Sequence, residues 1–270
     1  MLHTFFMNDR RVAYWEGGDP QGRPVLLIHG LGGDHRGLLD CISPLSRYRL
    51  IVPDLPGYGL SETFGGEHTV EAYADFIESL LHHLHLTDIV LIGYSFGAIV
   101  ALTYAKHNPK QLRQLVLLNP VVNTPPNMLG KVGKLCMSAI YLLPERMGHW
   151  VVTNKFTVYV TDRVVMTTKG KPYRKKILQE DYLSYKLTSL RALREGMASL
   201  DTMSTAKLIP GTAVDTLLVA GTKDVMVSIT RSQTLAQKLA AQLVELDGGH
   251  LLPLEDPVAV GLLLKQYIQR

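Results

Sequence analysis

Ser95 lies between Gly93 and Gly97, where an apolar run at 89–92 ends and a second apolar run at 98–102 begins. This order predicts a strand, an abrupt turn and a helix. Glycines suit such a turn because the strand end and the helix start approach too closely for side chains. The turn would raise the serine hydroxyl beside the first free N–H groups of the helix. The pattern favours a nucleophile over a serine that only shapes a tight turn.

A serine hydroxyl is a poor nucleophile at neutral pH, so it needs a base within hydrogen-bond distance and a third group that orients the base. Two later residues follow predicted strands: Asp224 comes after 216–220, and His250 comes after 242–246 and a pair of glycines. We therefore predict a Ser95, His250 and Asp224 triad at one edge of a sheet. The alternative for His250 is a solvent-facing loop residue.

Two other aspartates, Asp247 and Asp256, lie close to His250 in the sequence. Asp247 competes with Asp224 as the acid, but it is too close to His250 on the same turn to reach the imidazole naturally. Asp256 precedes Pro257, which is typical of a residue that caps a helix. We therefore assign the acid to Asp224.

The stretch HGLGG at 29–33 follows the apolar run PVLLI. Glycines at the end of a strand let backbone N–H groups face a cavity, which makes the Leu31 amide a candidate oxyanion donor. These glycines are equally consistent with a plain turn. The second candidate donor is the Phe96 amide, and His29 is expected to hold its loop by hydrogen bonds.

The elements that must position these residues alternate along the chain. Residues 4–15 predict a hairpin that turns at Asn8-Asp9, and further strands are predicted at 24–28, 48–53, 89–92 and 112–119, with a helix at 69–86. Alternating strands and helices indicate an α/β fold with a doubly wound, mostly parallel sheet. In such sheets, ligands bind at the carboxyl ends of the strands, where Ser95 and 29–33 fall.

The alternation stops at Val122, and Thr124-Pro125-Pro126 indicates a boundary. Helical periodicity at 132–143 and 176–203 predicts an inserted, mainly helical cap at 122–210, with residues 1–121 and 211–270 forming the core. Some apolar residues of the cap are candidates to line a pocket and most are expected in its own interior: Met128, Leu135, Met137, Ile140, Tyr141, Trp150, Phe156, Tyr159 and Tyr182.

Five motifs together resemble the α/β-hydrolase-fold superfamily, in particular its serine-nucleophile, esterase- and lipase-like members with a helical cap. They are HGLGG at 29–33, DLPGYGLS at 54–61, GYSFGA at 93–98, LLVAGTKD at 217–224 and GGHLLPLEDP at 248–257. The resemblance implies the order nucleophile, acid, histidine, which Ser95, Asp224 and His250 follow. A serine nucleophile argues against the haloalkane dehalogenase and epoxide hydrolase branches.

We expect a hydrolase that cleaves a small to medium carboxylic ester through an acyl-enzyme. A C–C bond hydrolase, a thioesterase, an amidase, a cofactor-free lyase, or a small-molecule receptor that retains the fold uses the same residues, and the sequence does not decide among them.

Composition and sequence patterns argue against other classes of protein. A formal net charge of +4 without a nucleic-acid motif does not indicate a nucleic-acid partner, and no apolar run has the length of a membrane span. The N-terminus does not read as a signal peptide, and two cysteines, Cys41 and Cys136, fit a reducing cytoplasm. The oligomeric state stays open, a homo-oligomer included.

No cofactor or metal is expected, because the sequence has no phosphate loop, dinucleotide fingerprint or metal-ligand cluster. His82, His83 and His85 are interpreted as a solvated helix end, and the six basic residues of 163–176 as a solvated cap loop that could alternatively meet an anionic substrate or a membrane surface. Asp54 is interpreted as a turn residue, and nothing pairs it with Glu62 or Asp75.

Overall fold

The computed structural model describes residues 1–121, 140, 142–167, 171–203 and 214–270. Eight strands form one sheet in the order β1-β2-β4-β3-β5-β6-β7-β8. The strands β3 to β8 are parallel to one another, whereas β2 is antiparallel to both β1 and β4. The strands are β1 Leu2–Met7, β2 Arg10–Gly18, β3 Pro24–Ile28, β4 Arg49–Pro53, β5 Ile89–Tyr94, β6 Leu112–Leu118, β7 Asp215–Gly221 and β8 Gln242–Leu246.

Helices connect these strands and cover the sheet. Their bounds are α1 Arg36–Leu39, α2 Val70–His83, α3 Phe96–His107, α4 Glu145–Thr153, α5 Lys155–Val165, α6 Lys171–Lys186, α7 Leu190–Thr202, α8 Ile229–Leu239, α9 Leu252–Glu255 and α10 Pro257–Ile268. No helix within the described ranges is long and apolar enough to cross a membrane.

The central strands are apolar throughout because both faces of the sheet are covered. Along β3, Leu26 and Ile28 pack in the core that includes α2 and α3, while Val25 and Leu27 pack in the opposite core with α10. Successive side chains of a strand point to opposite faces, so one run of apolar residues supplies both cores. The sheet predicted from the sequence is confirmed.

Several local predictions agree with the structure. The hairpin turns at Asn8 and Asp9, which both adopt positive φ (48° and 60°). That conformation is the one that a two-residue turn between antiparallel strands requires. Asp256 caps α10, since its carboxylate accepts a hydrogen bond from the Ala259 amide at 3.0 Å.

The segment between β6 and β7 differs from its prediction. Residues 176–203 form two helices, α6 and α7, that are separated at 187–189. The break has a local cause, because the Ser189 amide donates to the Gly57 carbonyl at 2.7 Å and its hydroxyl caps α7. The helices α4 and α5 were not predicted. The helix expected at 132–143 lies outside the described residues except for 140, 142 and 143.

Candidate active site

Ser95 occupies a strained turn between β5 and α3, with φ 53° and ψ −113°. A Cβ at Gly93 would lie 2.3 Å from the Gly97 carbonyl oxygen, and a Cβ at Gly97 would lie 2.4 Å from the Ile28 carbonyl oxygen. Any larger residue would therefore collide with backbone. Strain of this kind persists only where the surroundings enforce it, and it is concentrated at functional sites.

A chain of hydrogen bonds joins the three residues selected from the sequence. The Ser95 Oγ lies 2.8 Å from His250 Nε2, and His250 Nδ1 lies 2.8 Å from Asp224 Oδ2. The side chains of Ser95 and His250 are buried. Because Nδ1 faces a carboxylate, we assign its proton there, which leaves Nε2 free to accept the serine proton.

The Asp224 carboxylate is fixed on its other side by backbone. Its Oδ1 accepts hydrogen bonds from the amides of Met226 at 2.7 Å and Val227 at 3.0 Å. Asp247, the competing acid, is exposed and forms an ion pair with Lys223 at 2.5 Å. The structure thus places Asp224, and not Asp247, against the imidazole.

Two residues that sequence reasoning missed hold the histidine loop. The Asn119 Nδ2 donates to the carbonyl oxygens of Gly249 and His250, both at 2.9 Å, and its Oδ1 accepts from the Gly221 amide at 2.8 Å. The Tyr94 hydroxyl also donates to the His250 carbonyl at 3.0 Å. The available signal was the position of Asn119, a polar residue at the carboxyl end of a buried strand.

The two candidate oxyanion donors belong to segments that adjoin the serine. Phe96 is the first residue of α3, and within the described part of the chain neither its amide nor that of Leu31 has a hydrogen-bond acceptor. The loop of Leu31 lies against the nucleophile, since a Cβ at Gly30 would be 3.2 Å from Ser95 Cβ. Free amides beside a serine are suited to bind an oxyanion.

His29 is buried and holds its loop, as expected. Its Nδ1 contacts the Gly30 carbonyl at 2.8 Å, and its Nε2 accepts from the Leu55 amide at 3.0 Å. Burial lowers the pKa of the imidazole, so the neutral form required by this pattern is favoured. Both ring nitrogens of His29 therefore form hydrogen bonds with backbone groups.

Asp54 does more than shape a turn. Its buried carboxylate accepts from the amides of His35 and Leu60 and contacts His35 Nδ1 at 2.7 Å. Asp34, His35 and Asp54 are the one group in the described ranges with metal-like spacing. Asp34 is ion-paired with Arg36, and His35 is bonded to Asp54, so protein groups already use these atoms. We interpret the group as a bridge between two loops.

The helices between β6 and β7 contact both loops of the site. The Tyr185 ring on α6 lies 2.8 Å from where a Cβ of Gly32 would be. Beyond α5, the Thr167 amide and hydroxyl donate to the buried carboxylate of Glu255 at 3.2 and 2.9 Å. This segment therefore contacts loops at the edge of the sheet where Ser95 lies.

Two carboxyl groups of this segment, Asp162 on α5 and Asp181 on α6, lie close enough for each to shift the pKa of the other. Burial raises the pKa of both, and the proximity of Asp181 raises that of Asp162 further. Local sequence patterns do not indicate this pair, since nineteen positions and a helix boundary separate its members.

Other candidates fall outside the site. Trp150, Phe156 and Tyr159 are exposed, which corrects the expectation that they belong to the cap interior. Met128, Leu135, Met137 and Tyr141 lie outside the described residues. His82, His83 and His85 are exposed at the end of α2, where His83 stacks on Phe5 with 4.4 Å between ring centroids.

Comparisons with known proteins identify the fold family. The family model for the alpha/beta hydrolase fold matches residues 23–257. The chain is 28% identical over 251 residues to the magnesium-chelatase 30 kDa subunit of Rhodobacter capsulatus, covering 89% of this chain and 86% of that protein. It is 34% identical over 105 residues to the 2-hydroxy-6-oxo-2,4-heptadienoate hydrolase of Pseudomonas putida, covering 37% and 38% of the two chains.

Solved structures show the same fold. The enol-lactonase from Burkholderia xenovorans superposes with a TM-score of 0.86 at 19% identity, covering 99% of this chain and 100% of that one. At this identity the likeness establishes the architecture, and the chemistry has to be argued from the site itself.

Proposed function

The chain belongs to the α/β-hydrolase fold family, and from that premise we propose that it is a serine hydrolase acting on a small to medium carboxylic ester. The observation that carries the proposal is the hydrogen-bond chain from Ser95 through His250 to Asp224, with both contacts at 2.8 Å. A nucleophile, a base and an orienting carboxylate in this order are what acyl transfer to serine requires.

In the proposed reaction, His250 Nε2 takes the proton from Ser95 as its Oγ attacks the ester carbonyl. Asp224 keeps the imidazole in the correct tautomer and stabilises the imidazolium that forms. The protonated His250 then gives its proton to the leaving alcohol, and an acyl group remains on Ser95. Water activated by His250 attacks this acyl-enzyme, and the acid is released as the serine is regenerated.

The negative charge that develops on the carbonyl oxygen needs donors. We assign this role to the amides of Leu31 and Phe96, which lie beside Ser95 and have no acceptor within the described residues. Removal of a single donor of this kind typically raises the barrier by roughly 3 to 4 kcal/mol. Because both donors belong to backbone, their positions depend on the turns at 29–33 and 93–97.

We further propose that residues 122–210 form the cap and that 1–121 and 211–270 form the catalytic core. The support is the position of α4 to α7 between β6 and β7, together with the contacts of Tyr185 at Gly32 and of Thr167 at Glu255. In this arrangement the cap determines which acyl groups reach Ser95.

A C–C bond hydrolase with the same triad is the second candidate. It is favoured by the match to the Pseudomonas putida hydrolase, although the match covers about a third of this chain. The intact triad serves either reaction, because both pass through an oxyanion at a carbonyl carbon.

Hydrolysis of chromogenic acyl esters of increasing chain length tests the proposal. We expect sustained turnover by the native protein, loss of it in Ser95→Ala, and no change in Ser79→Ala, which alters a serine on α2 outside the site. Turnover that persists in Ser95→Ala would exclude this serine as the nucleophile. Silence towards every ester, with Ser95 still labelled by a phosphonate, would favour the C–C hydrolase or a receptor.

A further inference from the structure

The helix α5 exposes apolar side chains on the face that points away from the protein. Phe156, Tyr159 and Val160 are 74%, 47% and 44% exposed, whereas Val158 and Asp162 are buried. Residues 156, 159, 160 and 163 have the i, i+3, i+4, i+7 spacing that places them on one side of a helix. The outer stripe of α5 is therefore aromatic and aliphatic, and the exposed Arg163 ends it.

The preceding helix, α4, also exposes apolar side chains. On α4, Met147 and Trp150 are 56% and 65% exposed at i, i+3 spacing, while Gly148 and Val152 are buried. Only Asn154 separates α4 from α5, and the two helices pack against each other. We call Met147, Trp150, Phe156, Tyr159 and Val160 the outer apolar surface. Exposed apolar residues in such a number usually indicate an interaction site.

The part of the sequence that carries this surface is rich in basic residues. The segment 145–176 contains eight Lys or Arg residues and two acids, the exposed Glu145 and the buried Asp162. The whole chain has a net charge of +4, so the rest of the molecule is net acidic. Arg146, Lys155 and Arg163 are exposed and have no ion-pair partner in the described part of the chain.

The outer apolar surface and the basic residues together favour one class of partner. A second copy of this chain would bring two positively charged segments together, which is unfavourable in a symmetric contact. A single-stranded nucleic acid would use the aromatic rings for stacking but would leave Met147 and Val160 without a role. An anionic lipid surface uses both properties, since apolar side chains enter the boundary of the acyl chains while Lys and Arg meet the headgroups.

We propose that the outer apolar surface and the basic residues around it dock the protein on an anionic lipid–water interface. The residues just beyond α5 contact the histidine loop, since Thr167 is bonded to Glu255 and lies 3.0 Å from where a Cβ of Gly249 would be. Docking would therefore hold the segment that covers the site at the lipid surface. The proposal does not depend on catalysis by Ser95.

Co-sedimentation with vesicles tests the proposal, with Ser95→Ala as the background so that no lipid is hydrolysed. We expect binding to phosphatidylcholine vesicles that contain phosphatidylglycerol, a decrease with added salt, and much weaker binding to pure phosphatidylcholine. Trp150→Ser with Phe156→Ser should lower the partition coefficient by about tenfold or more, and Arg146→Glu with Arg163→Glu should do the same.

Matched controls lie elsewhere on the molecule. Phe6→Ser removes an aromatic ring that is 73% exposed on β1, and Lys238→Glu reverses an exposed charge on α8. Both should bind vesicles like the parent. Equal losses in controls and test variants, equal binding to neutral and anionic vesicles, or no binding at all would each overturn the proposal. A dimer in sedimentation velocity that Phe156→Ser dissolves would reassign the surface to a contact between copies.

Discussion

Asn119 holds His250 by its backbone: the Asn119 Nδ2 donates to the His250 carbonyl oxygen at 2.9 Å. The same carboxamide bonds to Gly249 and to the amide of Gly221, at the end of the strand that leads to Asp224. One side chain at the end of β6 therefore fixes the loops of the proposed base and acid relative to each other. None of these three hydrogen bonds involves the imidazole ring.

We expect Asn119→Asp to lower kcat more than it raises KM, by about tenfold to a hundredfold. The substitution keeps the size and the Oδ1 acceptor but removes the donor to the histidine loop, and small displacements of a catalytic group have effects of this order. Asn8→Asp is the control, because Asn8 also has positive φ but lies in the hairpin turn. Steady-state kinetics on the best ester would measure both, and an unchanged kcat would show that the loop holds its position without this bond.

Asp224→Asn should reduce kcat by about 10⁴-fold, because an amide favours the wrong tautomer of His250. Asp247→Asn should change kcat little, since the exposed Asp247 pairs with Lys223 and not with the imidazole. The two variants are compared by initial rates with the same ester. A larger effect at Asp247 would mean that the acid has been assigned to the wrong carboxylate.

Gly93→Ala should destabilise the fold by at least about 2 kcal/mol, as for other overpacked backbone positions. Its Cβ would lie 2.3 Å from the Gly97 carbonyl oxygen and 2.5 Å from Ala98 Cα. Gly65→Ala, where nothing lies within 4 Å of the new Cβ, should stay within about 0.5 kcal/mol of the native protein. Urea unfolding compares them, and equal midpoints would contradict the steric argument for the turn.

The Asp162 and Asp181 pair should make stability fall as the pH rises. Burial raises both pKa values well above the value near 3.9 of an unfolded aspartate. Between the pKa of the unfolded state and the raised pKa of the folded state, the folded protein binds more protons than the unfolded protein. Ionisation at higher pH therefore favours unfolding. Below about pH 4 both states are protonated and the penalty is absent.

Asp162→Asn should consequently stabilise the protein by more than about 1 kcal/mol at pH 8, and by much less at pH 4.5. Asp9→Asn, at the exposed hairpin turn, should show no such dependence on pH. Thermal unfolding across this range measures the difference. A stability gain that is the same at both pH values would indicate a change in packing and not the removal of a buried charge.

The sheet and the proposed triad could be predicted because local patterns determine them. A strand covered on both faces needs an uninterrupted apolar run, and a turn as tight as that of Ser95 admits only small residues at 93 and 97. The carboxyl ends of parallel strands share one edge, so the order of strands and polar residues in the sequence already brings Ser95, Asp224 and His250 to one side. The same reasoning identified Asp256 as a cap.

Tertiary structure alone decided the rest. The partners of Asn119, the pairing of Asp162 with Asp181 and the exposure of Trp150 and Phe156 depend on how distant segments pack. The sequence shows only spacing within one segment, so it does not show which side of α5 turns inward. Which side of α5 is buried depends on the elements that pack against it, and these come together only in the folded chain.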